Sequence, residues 1–139
     1  NVLLSYTGAV KLADFGIAKA ATSLVHTSAG VLKGKYPYMS PEQASGHSAT
    51  SDRQTDVFSL GVMLYEILTG VNTFRGQTAV ESMKGVMYHD PVSPRKRNRR
   101  LDRTVSAITL KALDKDPFRR YRSAVELAED VREVKAKNR

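Results

Sequence analysis

The stretch from Thr55 to Leu68, "TDVFSLGVMLYEIL", is apolar on nearly every side, and its reading decides the fold. An amphipathic surface helix would show one apolar stripe, whereas apolar residues all round mark a helix buried in a core. The run is too short for a membrane span, which needs about 18 or more consecutive apolar residues. Asp56 stands in its first turn, where a carboxylate is favoured by the helix dipole. Gly70 follows as the expected C-terminal stop.

Downstream, three further helices are predicted. "TAVESMKGVMY" opens with Thr78 and Glu81 at capping-box spacing. "TVSAITLKALDKDP" starts at a Thr104 cap, repeats apolar residues at Val105, Ile108 and Ala112, and is closed by Pro117. "SAVELAEDVREV" has a second capping box in Ser123 and Glu126, with Val125, Ala128, Val131 and Val134 as its apolar stripe. The terminal "KAKNR" is expected to fray.

Upstream, the apolar runs Val2 to Leu4 and Val10 to Leu12 flank a turn with Thr7 and Gly8, which suits a β-hairpin. From Gly16 to about Gly46 no period holds, and Gly30, Gly34, Pro37 and Pro41 punctuate the run. So long a loop is uncommon in a compact domain and is usually functional. The fold class expected is mostly α with a small β-hairpin, in one domain.

Composition agrees. A chain of 139 residues with 41% hydrophobic and 26% charged residues is ordinary for one globular domain. With no cysteine, disulfides, thiolate metal sites and cysteine nucleophiles are excluded, which is compatible with the cytoplasm. The first residues show no signal-peptide pattern, and the missing initiator Met suggests a fragment.

The net charge of +8 is concentrated in "PRKRNRRLDR", where Arg95, Lys96, Arg97, Arg99, Arg100 and Arg103 face the single Asp102. No aromatic side chain interleaves them to stack on bases, so the run reads as a solvated loop rather than a nucleic-acid patch.

Chemistry is expected in the long loop. Asp14 opens "DFGIAK", Glu42 lies in "YMSPEQ", Asp56 in "DVFSLG" and Arg120 in "DPFRRY". Asp-Phe-Gly alone is weak, because Asp before such a pair often only makes a turn. Four motifs in this order are harder to explain by chance. The sequence resembles the C-terminal lobe of protein kinases, most of all bacterial Ser/Thr kinases of the eukaryotic type. The resemblance covers essentially the whole chain. It implies a partial kinase domain over 1–137, with an activation segment over 14–42 and a helical core over 50–137.

The resemblance implies roles residue by residue. Asp14 would bind the Mg²⁺ that bridges the phosphates of ATP, and Asn1 the second Mg²⁺, so both are candidate catalytic and cofactor-binding residues. Phe15 would pack into the core and Gly16 would free the turn. Glu42 would pair with Arg120 and clamp the end of the activation segment to the helical core. Asp56 would accept backbone N–H groups from the catalytic loop. Among Thr22, Ser23, Thr27 and Ser28, the last two are the better candidates for an activating phosphate.

This sequence departs from the family pattern at Lys35, which stands where Ser/Thr kinases usually have threonine. Lys35 either brings a positive charge near the transferred phosphate or simply faces solvent. Also absent are a Gly-rich phosphate loop, the ATP-positioning Lys and Glu pair, and the catalytic base. The chain by itself is therefore expected to be inactive, marginally stable, and short of the helix that would cover Val57 to Leu68.

Three readings remain open: a Ser/Thr protein kinase using ATP and Mg²⁺ on protein substrates, a pseudokinase-like regulatory module, and a basic nucleic-acid binder. The first explains the most residues, and no nucleic-acid partner or membrane segment is expected.

Overall fold

A computed structural model describes residues 2–13, 35–46 and 53–137. It divides into two compact units, residues 1–30 and 31–139.

In the first unit, β1 (Val2–Leu4) pairs antiparallel with β2 (Val10–Leu12), Val2 opposite Leu12 and Leu4 opposite Val10. The hairpin was legible from its two apolar runs. Ser5 ties the turn, since its N–H donates to Ala9 O at 2.9 Å and its carbonyl accepts from Gly8 N at 3.0 Å. Leu3, Leu4, Val10 and Leu12 are exposed.

The second unit is helical. A 3-10 turn, Tyr36–Tyr38, leads into the short α1 (Pro41–Ala44). The region up to Gly46, read as irregular, therefore holds two helical turns among its described residues. Ser40 makes the second of them possible. Its hydroxyl accepts from Gln43 N while the Gln43 side chain accepts from Ser40 N, and Pro41 brings a preset φ to the first helical position.

Around these turns pack α2 (Arg53–Thr69), α3 (Ala79–Tyr88), α4 (Pro94–Arg97), α5 (Arg103–Ala112) and α6 (Ala124–Lys137). As expected, α2 is the central helix. It places Phe58, Val62 and Tyr65 in one cluster with Ala44, Phe74, Val86 and Leu113. On another flank it places Val57 in a second cluster with Ile108, Ala112, Tyr121 and Leu127, with Leu60 and Leu64 packed alongside. Its burial is not complete, for Ile67 is 77% exposed. Gly61 lets α5 approach closely, since a Cβ there would lie 2.9 Å from Ala112 Cβ. Gly70 ends the helix in the left-handed conformation, φ 76°, as a C-terminal glycine should.

Several boundaries differ from the sequence reading. Thr78 does cap α3, but the Glu81 carboxylate turns to Gln77 N rather than to the cap residue itself. Ser123 and Glu126 behave in the same way, with Glu126 accepting from Arg122 N at 2.6 Å. The cap of α5 is Asp102, not Thr104, because the aspartate carboxylate accepts from Thr104 N at 2.6 Å. That helix ends at Ala112 with Leu113 as its cap, well before Pro117, which instead begins a 3-10 turn, Pro117–Arg119.

On α6 the expected valine stripe is largely wrong. Val125 is 64% exposed and Val131 is also exposed, while Leu127 is the buried residue. Leu127, Asp130 and Val134 share the inward face, where Asp130 receives the Tyr121 hydroxyl at 2.7 Å. A buried hydroxyl needing an acceptor sets the rotation of this helix, and the apolar count alone could not show it. The helix runs to Lys137, through the first three residues of the terminal "KAKNR", and the last two lie outside the described residues.

The basic run is not simply a loop either. Its first residues form α4, with Pro94 buried, and Asn98 fastens the next turn. No helix among the described residues is long and apolar enough to cross a membrane.

Candidate functional site

Glu42 lies in the first turn of α1, and Arg120 lies just beyond the Pro117–Arg119 turn. The two meet through a bidentate pair: Nη1 donates to Oε1 and Nη2 to Oε2, each at 2.8 Å. Arg120 is fully enclosed, its side chain 0% exposed against 12% for Glu42. A buried cation is tolerable only when its donors are met, and here all five are. Nε donates to Asp114 O at 2.7 Å, and the remaining Nη hydrogens go to Gln54 O and Lys115 O at 3.1 Å each. Thr55 adds a third bond to the carboxylate, donating to Oε1 at 2.9 Å.

Burial alone would push the Glu42 carboxyl up. The hydrogen bonds from Arg120, from its own backbone N–H and from Thr55, together with the Arg120 charge, outweigh that and hold it down at about 2. The Glu42 carboxylate is therefore ionised at neutral pH. The Glu42 to Arg120 contact expected from the resemblance is present, with these geometric particulars.

Two more ties hold the same segment to α2. Ser59 Oγ donates to Tyr38 O at 2.7 Å. The Tyr38 hydroxyl donates to Glu66, which also pairs with Arg75 at 3.8 Å. Residues 35–46 are thus bolted to one rigid helix at Thr55, Ser59 and Glu66. The arrangement can fix a loop in space.

Sequence reasoning did not single out Thr55, Tyr38, Glu66 or Arg75. One signal was available, since Glu66 is an isolated charge in the otherwise apolar second half of its helix, and such a charge needs a partner. Arg75 could not be matched to it without tertiary structure.

The remaining predicted residues are less engaged. Asp56 is exposed in the first turn of α2, consistent with its dipole reading, and its carboxylate makes no hydrogen bond among the described residues. Lys35 is exposed ahead of the 3-10 turn, its carbonyl accepting from Tyr38 N at 3.0 Å. Asn1, Asp14, Phe15, Gly16, Thr22, Ser23, Thr27 and Ser28 lie outside the described residues.

Comparison with known proteins decides what this clamp belongs to. The family model "Protein kinase domain" matches residues 1–131. The chain belongs to the protein kinase domain family. Among curated relatives, this kinase chain is 43% identical over 129 residues to the tyrosine-protein kinase MasK of Myxococcus xanthus, covering 93% of the chain and 20% of the relative. It is 42% identical to the serine/threonine-protein kinase PknB of Mycobacterium leprae over 134 residues, and 42% identical to PknB of Mycobacterium tuberculosis over 135. Both alignments cover 94% of the kinase chain and 21% of the relative. The chain therefore spans about a fifth of the length of these relatives. Among solved structures, the twitchin kinase region of C. elegans matches with a TM-score of 0.57 at 22% identity, over 71% of this chain and 16% of that one. That likeness shows a shared fold. The resemblance to bacterial kinases and the mostly helical kinase-lobe fold, both read from the motifs, are borne out.

Proposed function

We propose that this chain is the C-terminal lobe of a serine/threonine protein kinase, residues 1–137, which transfers the ATP γ-phosphoryl group to protein hydroxyls with Mg²⁺. The observation that carries this reading is the Glu42 to Arg120 pair, which joins "SPEQ" to "DPFRRY" across 78 positions and anchors the far end of the proposed activation segment, 14–42. Phosphoryl transfer depends chiefly on positioning and charge stabilisation, so a fixed segment end is what this lobe must supply.

Asp14 and Asn1 are the proposed metal-binding residues. A carboxylate and an amide oxygen are hard donors of the kind Mg²⁺ prefers. When bound, the ion would neutralise phosphate charge during transfer. Lys35, exposed ahead of the Tyr36–Tyr38 turn, is proposed to present its ammonium toward an anionic group in place of the usual threonine hydroxyl. Thr27 and Ser28 are proposed as activating phosphosites, and the kinase portion is proposed to work in the cytoplasm.

The test is transfer of labelled γ-phosphate by the purified intact kinase to peptides bearing only Ser, only Thr or only Tyr. Transfer to Ser and Thr peptides, abolished by Asp14→Ala, supports the reading. Transfer to Tyr alone would move the substrate class toward that in the MasK name, and peptide binding with no transfer would favour the regulatory-module reading.

A further inference from the structure

The basic run between α3 and α5 has no part in the clamp, yet it is held firmly. Pro94 is buried, and its carbonyl accepts from Asn98 N at 2.9 Å. Asn98 then binds in two directions: Nδ2 donates to Leu68 O at 3.2 Å, and Oδ1 accepts from Arg100 N at 3.1 Å. Arg97 Nε donates to the Tyr65 hydroxyl at 3.1 Å, fixing the turn to α2. Asp102, the one carboxylate of the run, is taken up in capping α5.

Arg95, Lys96, Arg99, Arg100 and Arg103 are left without an ion pair among the described residues, and all but the half-exposed Arg95 are exposed. Like charges held together repel one another, so this grouping is unfavourable to the free protein and is relieved by an anionic partner.

We infer that this face is a docking site for an acidic, Asp- and Glu-rich segment of a protein substrate. Four of the five unpaired cations are arginines, whose planar fork suits bidentate binding of carboxylates. Because Asn98 and Pro94 fix the backbone, less ordering entropy is lost on binding. Nucleic acid fits less well, since the run has no aromatic side chain to stack on bases and α4, with four residues, is too short to read a groove. A lipid surface fits less well too, because Leu101, the one large apolar residue of the run, is half-buried.

That the partner is a substrate rests on the kinase reading; that it is acidic does not. The experiment measures fluorescence anisotropy of a labelled Asp/Glu-rich peptide with the purified intact kinase, without ATP, at low and physiological salt. The acidic peptide should bind, and Arg99→Gln/Arg100→Gln should weaken it by about tenfold, one factor of ten being 1.4 kcal/mol. Arg99→Lys/Arg100→Lys keeps the charge and should weaken it less, which separates a charge effect from misfolding. Binding no tighter than that of a neutral peptide of equal length overturns the inference, as does tighter capture by duplex DNA or by phosphatidylserine vesicles. Phosphoryl transfer to a peptide lacking acidic residues should be unchanged in the Gln variant. If that transfer is absent in every form, the kinase reading fails while the binding result stands separately.

Discussion

The Arg120 guanidinium lies 4.9 Å from the ring centroid of Phe58. The cation that grips Glu42 is thus placed against an aromatic ring of the first core cluster, and Phe58 stacks in turn on Phe74 at 5.7 Å. The clamp and the core share a wall, so damage to one should be felt in the other. Removing Arg120 leaves a carboxylate without its main partner, while removing Glu42 leaves a buried cation. Arg120→Ala or Glu42→Ala should each cost about 3–5 kcal/mol in urea unfolding. The exposed Lys137 to Glu133 pair is 4.0 Å apart, and Lys137→Ala should change stability by about 0.5 kcal/mol or less. A double variant, Glu42→Gln/Arg120→Met, should lose clearly less than the sum of its single changes. Additive losses would deny the coupling. Glu42→Ala should also speed proteolysis of the segment.

Acid should undo the same pair within a defined window. The Glu42 carboxyl sits at about 2 in the folded protein against 4.5 for an ordinary glutamate. The unfolded chain therefore binds the proton first as pH falls, and the stabilisation, complete above about 4.5, declines from there down to about 2. Glu42→Gln should flatten this part of a stability against pH curve. An unchanged acid limb would show that other carboxylates govern it.

At the opposite end of the scale, Lys115 gives a test of the same sign, with burial rather than pairing as its cause. Its Nζ donates to the carbonyls of Gly85 and Val86 in the last turn of α3 and lies 4.1 Å from the Phe74 ring centroid. Burial nevertheless pulls its pKa down to about 8, with nearby Asp90 opposing and Arg120 adding to the effect. A folded value below the unfolded 10.5 means that the folded state holds fewer protons between these limits. Stability from this group should therefore rise with pH from about 8 to about 10.5 and be absent below. Lys115→Met should remove that rise in thermal melts across the window. A rise that persists would assign it elsewhere.

Two glycines should respond to alanine for different reasons. Gly61 has no room, since an added Cβ would meet Ala112 Cβ at 2.9 Å and Leu113 Cδ2 at 3.1 Å. Gly61→Ala should cost about 1–3 kcal/mol by overpacking, in spite of the better helix propensity of alanine. Gly70 has open space but a positive φ of 76°. Gly70→Ala should cost about 1–2 kcal/mol through backbone strain alone. A companion Ala112→Gly change should rescue the first and leave the second untouched.

What could be read from sequence was what depends on near neighbours or on composition along one element. The hairpin, the buried character of α2 and the Gly70 stop all followed from short stretches. The Glu42 to Arg120 pair, although 78 positions apart, was legible only through its motifs. Where two residues only two positions apart could each cap, as Asp102 and Thr104 could, local pattern did not choose between them. The rotation of α6 depends on Asp130 meeting Tyr121, and the Tyr38, Glu66 and Arg75 group depends on three separate segments. Neither leaves a periodic trace.

Because α2 lends Phe58, Val62 and Tyr65 to one cluster and Val57 to the other, the two clusters have no separate existence. Neither can melt while its neighbour stays intact, so the slowest-exchanging amides should fall along this helix as one set. The helical unit should then lose its structure in a single cooperative step, with no half-folded form accumulating between.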